Sequence, residues 1–75
     1  MKRFKVAVLP GDGIGPEIVG EAIKVLRLMG KRFSVEFDLT EGLVGGVSID
    51  ANGVPLTDSV LKLALESDAV LLGAV

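Results

Sequence analysis

The sequence predicts an α/β fold: a three-stranded parallel sheet built as β-α-β-α-β, with strand order 2-1-3. Three observations carry that prediction. The runs at 4–9 (FKVAVL) and 69–72 (AVLL) are apolar almost throughout and suit buried, central strands. The run at 33–39 (FSVEFDL) alternates apolar and polar residues, as a strand with one wetter face does, and its Glu36 and Asp38 suit a sheet edge. Amphipathic helical patterns separate the three runs, and such alternation implies parallel strands joined by right-handed crossovers.

Each element has a local cause. The first strand has Lys5 as its only charge, and Leu9 stays extended because Pro10 follows it. A helix follows, with Gly15 as N-cap, Pro16 at the first helical position and Glu17 at the positive end of the helix dipole. Ile18, Ala22, Val25 and Met29 fall on one face at helical spacing, with Glu21, Lys24 and Arg27 toward the polar side. Gly30 is a stop signal, with a ragged end near Lys31 or Arg32. After the second strand, residues 40–56 are glycine-rich. A structureless connection that long is uncommon in a small domain, so a short helical turn is expected at 47–51, closed by a turn at Asn52-Gly53. Thr57 is the N-cap of the next helix, Asp58 lies in its first turn, and Leu56 and Leu61 take the staple positions. That helix runs to about Glu66, with Val60, Leu61, Ala64 and Leu65 as its apolar face, and Ser67 and Asp68 end it.

Composition narrows the function. The 75 residues carry a net charge of -2 and no cysteine, histidine, tyrosine or tryptophan. Acids and bases are dispersed, so no basic stripe points to nucleic acid. Without cysteine there is neither a disulfide framework nor a thiolate metal site. The apolar run after Lys2, Arg3 and Lys5 is too short for a secretion signal, and residues 69–75 fall far below the ~20 residues of a membrane span. A soluble, cytoplasmic protein is expected, with no membrane and no nucleic-acid partner. A chain this small buries only ~60% of its unfolded surface. Three strands and two helices leave part of a parallel sheet uncovered, so residues 1–75 are expected to form the N-terminal part of a larger α/β domain, with apolar surface that promotes self-association.

The segment PGDGIGPE (residues 10–17) follows the first strand and raises the question of a phosphate cradle. A dinucleotide fingerprint is G-x-G-x-x-G after a strand, with an acid ~20 residues on. The strand is there and Asp38 stands at a plausible distance. The third glycine comes one residue early, however, Pro16 occupies the position where helix and strand need glycine, and Asp12 puts a negative charge in the loop. A second reading is a tight turn that needs no ligand, with Pro10-Gly11 at its centre and Asp12 bonded to its own backbone. A third is a loop that shapes a site without holding phosphate.

VAVLPGDGIGPEI (residues 6–18) resembles the opening of the β-decarboxylating dehydrogenases, the family of isopropylmalate and isocitrate dehydrogenases. The block VGGVSIDANGVPLTDSVLKLALESDAVLLGAV (residues 44–75) is similar too, through Gly45-Gly46, Ile49-Asp50, Gly53, Pro55-Leu56 and the ending 68–75. Its final Gly-Ala-Val fits the isopropylmalate branch better than the isocitrate branch, where Gly-Pro is more frequent. The resemblance spans essentially the whole chain but only about the first fifth of such an enzyme. It implies a fold other than the Rossmann dinucleotide fold, a homodimer, a magnesium or manganese ion, and oxidation of (2R,3S)-3-isopropylmalate by NAD with loss of carbon dioxide, in leucine synthesis. An isocitrate- or tartrate-type member and a free-standing nucleotide-binding half-domain remain alternatives. In the family, the loop after the first strand borders the nicotinamide end of the cofactor. The matching residue is Ile14, with Asp12, Gly13 and Gly15 around it. Ile14 also suits a hydrophobic staple with Ile18 or Val19, and the two roles are compatible. The family's substrate arginines, its proton-moving lysine and tyrosine and its metal-binding aspartates match no position of this chain, so no catalytic residue and no metal ligand is assigned. Asp58 is explained by the helix N-terminus, Asp50 and Asp68 by turns, and Glu36, Asp38 and Glu41 by a solvated strand edge.

Overall fold

The computed structural model describes residues 2–75. Its elements are β1 (Lys2–Gly11), α1 (Gly15–Phe33), β2 (Val35–Glu41), α2 (Gly46–Asn52), α3 (Asp58–Glu66) and β3 (Ala69–Ala74). The sheet has the order β2-β1-β3, as the sequence predicts. Both pairings are parallel: Val6 stands between Leu39 and Ala69, Val8 between Glu41 and Leu71, and Gly11 opposite Ala74.

β1 is the centre of the molecule. The path from β1 to β2 moves one way across the sheet, and the path from β2 to β3 returns across β1. Right-handed crossovers then put α1 and α3 on opposite faces. Both faces of β1 are buried accordingly. Val6 and Val8 pack with Val19 of α1, and Ile23, Phe37, Leu39 and Leu71 close around them. Ala7 and Leu9 are buried on the other side, where Leu9 and Val60 of α3 flank Gly42. The edge reading of β2 holds: Glu36, Asp38 and Glu41 are all exposed, and Arg3 pairs with Glu36 across the strands at 3.1 Å.

Several boundaries differ from expectation, each for a physical reason. β1 runs on through Pro10 to Gly11, so Pro10-Gly11 is not the centre of a turn. The turn lies at 12–15, where the Gly15 N–H donates to the Asp12 carbonyl at 2.9 Å. The N-cap of α1 is therefore Ile14, one residue before the expected Gly15. At the other end Gly30 does not stop the helix, which continues to Phe33. Ser34 caps it with φ 56, its N–H reaching the Gly30 carbonyl. Gly30 instead permits close packing, since a Cβ there would lie 2.6 Å from the Val35 carbonyl oxygen and against the Phe37 ring. Phe33 consequently belongs to the helix and is exposed.

The inward faces of both long helices are also turned from those expected. α1 presents Gly15, Val19, Ile23, Leu26 and Gly30 to the sheet, while Ile18, Val25 and Met29 are exposed. The helix has two adjoining apolar stripes, and the stripe bearing the glycines comes closest to the backbone of the sheet. A Cβ on Gly15 would run into the Pro10 carbonyl oxygen. On α3, Val60, Leu63 and Ala64 are half-buried, whereas Leu61 and Leu65 are exposed. α3 starts as expected, the Thr57 hydroxyl accepting from the Val60 N–H at 3.3 Å. The short helix expected at 47–51 is α2, one residue longer at each end.

Gly30→Ala is expected to destabilise the chain by about 1–3 kcal/mol in a urea titration, because the backbone it touches cannot move aside as a side chain can. Gly20→Ala, in the same helix with open space around it, should instead stabilise by up to about 1 kcal/mol from helix propensity alone. Equal effects at the two positions would contradict this packing. The exposed apolar residues of α1, with Val70 and Leu72 of β3, should bind a dye that fluoresces on apolar surface and should raise the sedimentation coefficient with concentration.

Candidate functional site

In an open parallel sheet, ligands bind beyond the carboxyl ends of the strands, where the chain reverses direction across the sheet. Here that place lies between the ends of β1 and β3. Gly11 and Gly73 lie at this same end, as expected from the two apolar strands. The Asp12 N–H donates to the Ala74 carbonyl at 2.7 Å, which ties the start of the loop to β3. Gly11 has φ 78, and a Cβ on it would collide with that same carbonyl. Only glycine combines this dihedral with so close an approach.

Asp12 does not bond its own backbone. Its carboxylate accepts from the Gly46 N–H through Oδ2 and from the Val47 N–H through Oδ1, both at 2.7 Å. These are the first amides of α2, which has no cap of its own at Gly45. A carboxylate at a helix N-terminus satisfies orphan donors and complements the dipole. Gly45 adopts φ 79 and donates to the Pro55 carbonyl at 2.9 Å. At the far side of α2 the fully buried Ser48 donates its hydroxyl to the Val54 carbonyl at 2.6 Å. Neither Asp12 nor Ser48 is marked for these roles by the sequence, since the bonds of Asp12 cross more than thirty positions.

The four predicted site residues share this loop but differ in exposure. Gly15 is buried against Pro10, Asp12 is half-buried on α2, and Gly13 and Ile14 are exposed at the tip. Ile14 is 63% exposed, much for an isoleucine, and no contact near Gly13 limits approach to it. Beside the loop, Pro10, Pro16, Leu43, Val44 and Val47 line a largely apolar cavity of about 150 Å³.

This geometry does not make a pyrophosphate cradle. The Gly15 N–H is taken by the Asp12 carbonyl, Pro16 has no N–H, and the amides of α2 face a carboxylate. Strand order separately excludes a Rossmann half, which places its second strand centrally, whereas here β1 is central. Nor do the acids assemble a metal site. Among the described residues, no three His, Cys, Asp or Glu side chains lie close enough to hold a metal ion. Asp58 sits in the first turn of α3 and Asp50 is exposed on α2. Asp68 does more than end a helix. Its carboxylate accepts from the Lys5 N–H and its own N–H donates to the Lys5 carbonyl, both at 2.8 Å, which extends the β1–β3 pairing by one residue.

Residues 5–75 match the family model described as isocitrate/isopropylmalate dehydrogenase. The chain belongs to that family. The 3-isopropylmalate dehydrogenase of Moorella thermoacetica is 61% identical over 72 residues, which are 96% of this chain and 20% of that one. That of Aquifex aeolicus is 57% identical over the whole of this chain and 21% of its own. Among solved structures, a β-decarboxylating dehydrogenase from Thermococcus kodakarensis in its apo form matches with a TM-score of 0.73 and 42% identity, over 95% of this chain and 20% of that one. The chain thus spans about a fifth of the length of the dehydrogenases it matches. The fold of the chain is shared with a β-decarboxylating dehydrogenase of known structure. No described helix is long and apolar enough to cross a membrane.

Ser48→Ala leaves the Val54 carbonyl without its partner and should cost about 1–3 kcal/mol. Amide exchange should accelerate first at residues 45–54, since Ser48 lies within α2 and its bond ties that helix to Val54 just after the Gly53 cap. Acceleration spread evenly over β1 would assign Ser48 a global role instead.

Proposed function

We propose that this chain supplies the N-terminal part of the first α/β domain of a homodimeric, cytoplasmic, NAD-dependent 3-isopropylmalate dehydrogenase, which oxidises (2R,3S)-3-isopropylmalate with loss of carbon dioxide in leucine synthesis. The supporting observation is the high identity to 3-isopropylmalate dehydrogenases, 61% over 96% of the chain in one relative and 57% over the whole chain in another. In the complete enzyme, NAD serves as hydride acceptor, and a magnesium or manganese ion as Lewis acid on ligands other than these residues.

The part taken by this chain is one of shape. Ile14 offers a dry apolar wall to a nicotinamide ring, where hydride transfer is best protected from water. Gly13 lets a planar ring approach the backbone, Gly15 seats the loop on β1, and Asp12 fixes its conformation. No proton transfer falls to this segment.

By itself the chain should form no NADH from isopropylmalate, metal and NAD, and should bind NAD more weakly than about 100 μM in calorimetry. Tighter binding would favour a nucleotide-binding half-domain. Grafted in place of the matching segment of the Moorella thermoacetica enzyme, it should support isopropylmalate-dependent NADH formation. Ile14→Glu in that chimera should raise the KM for NAD about 10- to 100-fold, the size expected for losing one buried aliphatic contact. A folded but inactive chimera, or an unchanged KM, would overturn the reading.

A further inference from the structure

We propose that Asp12 is a positioning residue: its carboxylate clasps the loop after β1 to the N-terminus of α2, and through this clasp it holds Gly13 and Ile14 in place without itself contacting a ligand. The functional meaning of the clasp rests on the cofactor role proposed for the loop; the clasp stands on geometry alone.

Every hydrogen-bonding group of Asp12 is engaged, and together the four bonds reach three different elements of the fold. Its N–H goes to Ala74 on β3, its carbonyl accepts from Gly15 at the start of α1, and its two carboxylate oxygens accept from Gly46 and Val47 on α2. The two carboxylate bonds are short and charge-assisted, the stronger class of hydrogen bond. α2 has seven residues, too few to persist as a helix without outside contacts. The Gly45-Gly46 pair fits the same arrangement, because a Cβ at either position would press on the Asp12 carboxylate. An asparagine would serve this role only in part, as it has one acceptor oxygen and would turn an NH2 toward the other donor. Ile14 lies two residues beyond the clasp and is exposed, so Asp12 and Gly15 bracket the tip that carries it. A shift of α2 is thereby passed to Ile14.

The test uses the 75-residue chain labelled with 15N and 13C, with no cofactor present. Scalar couplings across the hydrogen bonds are expected from the Gly46 and Val47 nitrogens to the Asp12 side-chain carboxyl carbon. In Asp12→Ala the exchange of these two amides should accelerate about 10- to 100-fold, with Val6 to Leu9 unchanged. The order parameter of the Ile14 amide should fall, and Asp12→Asn should restore it in part. Absence of the couplings overturns the clasp, and should Asp12→Ala not fold, the couplings in the unsubstituted chain decide that point by themselves, with Asp12→Asn then read for Ile14. Couplings present with Ile14 order unchanged in the variants overturn the positioning role. None of these readouts involves NAD, so failure of the cofactor reading shows separately, as an Ile14→Glu chimera with unaltered KM.

Discussion

The structure depends on the burial of β1 on both faces and both edges. A strand so placed must present apolar residues at consecutive positions, and Val6, Ala7, Val8 and Leu9 do so, all nearly removed from water. Its neighbours are then constrained. Both edges of β1 are occupied, so the helices that connect the strands must cross on opposite faces, and the chain must reverse direction at its carboxyl end. The location of the candidate site is a topological consequence of that one strand, settled before any side chain in the loop is considered.

Close backbone approach is the second constraint, and it explains where helical periodicity misleads. Ile18, Ala22, Val25 and Met29 form a sound apolar line, yet Ile18, Val25 and Met29 are exposed. Periodicity measures how apolar a stripe is, but not how near the sheet it can come. Gly15 and Gly30 stand on the neighbouring stripe and bring α1 against the carbonyls of Pro10 and Val35. Packing favours the closer approach, and the other apolar stripe is left outward. The same reasoning corrects the end of the helix: a glycine that serves contact looks in the sequence like a glycine that serves as a stop.

Strand order, strand identity and the start of α3 were legible because each has a local or composition-level cause: alternation in β2, continuous apolarity in β1 and β3, a threonine cap before Asp58. The misfit of the glycine loop to a phosphate cradle was legible too, from Asp12 and Pro16. The bonds of Asp12 to Gly46 and Val47, of Asp68 to Lys5, and of Ser48 to Val54 were not. Those of Asp12 and Asp68 join residues far apart in the chain, and all involve side chains for which turns and caps nearby offer equally good partners on paper. Proximity in space selects among them, and no pattern of neighbours in sequence encodes it.

The candidate site is therefore built almost wholly from backbone and from residues without catalytic chemistry. Gly11, Gly13 and Gly15 shape the loop, Ile14 supplies apolar surface, and the Asp12 carboxylate of the loop binds two amides of α2. Under the proposed function, such a segment sets where a planar apolar group rests and leaves acid-base and metal chemistry to other parts of the protein. The consequence reaches to how the segment tolerates change. Substitutions on the exposed faces of α1 and β2 meet solvent, while those at Gly11, Asp12, Gly45 and Gly46 meet backbone or a paired charge. Sensitivity should therefore extend beyond the apolar core to these close approaches, because a Cβ driven onto a carbonyl held in a sheet meets no side chain that can move aside.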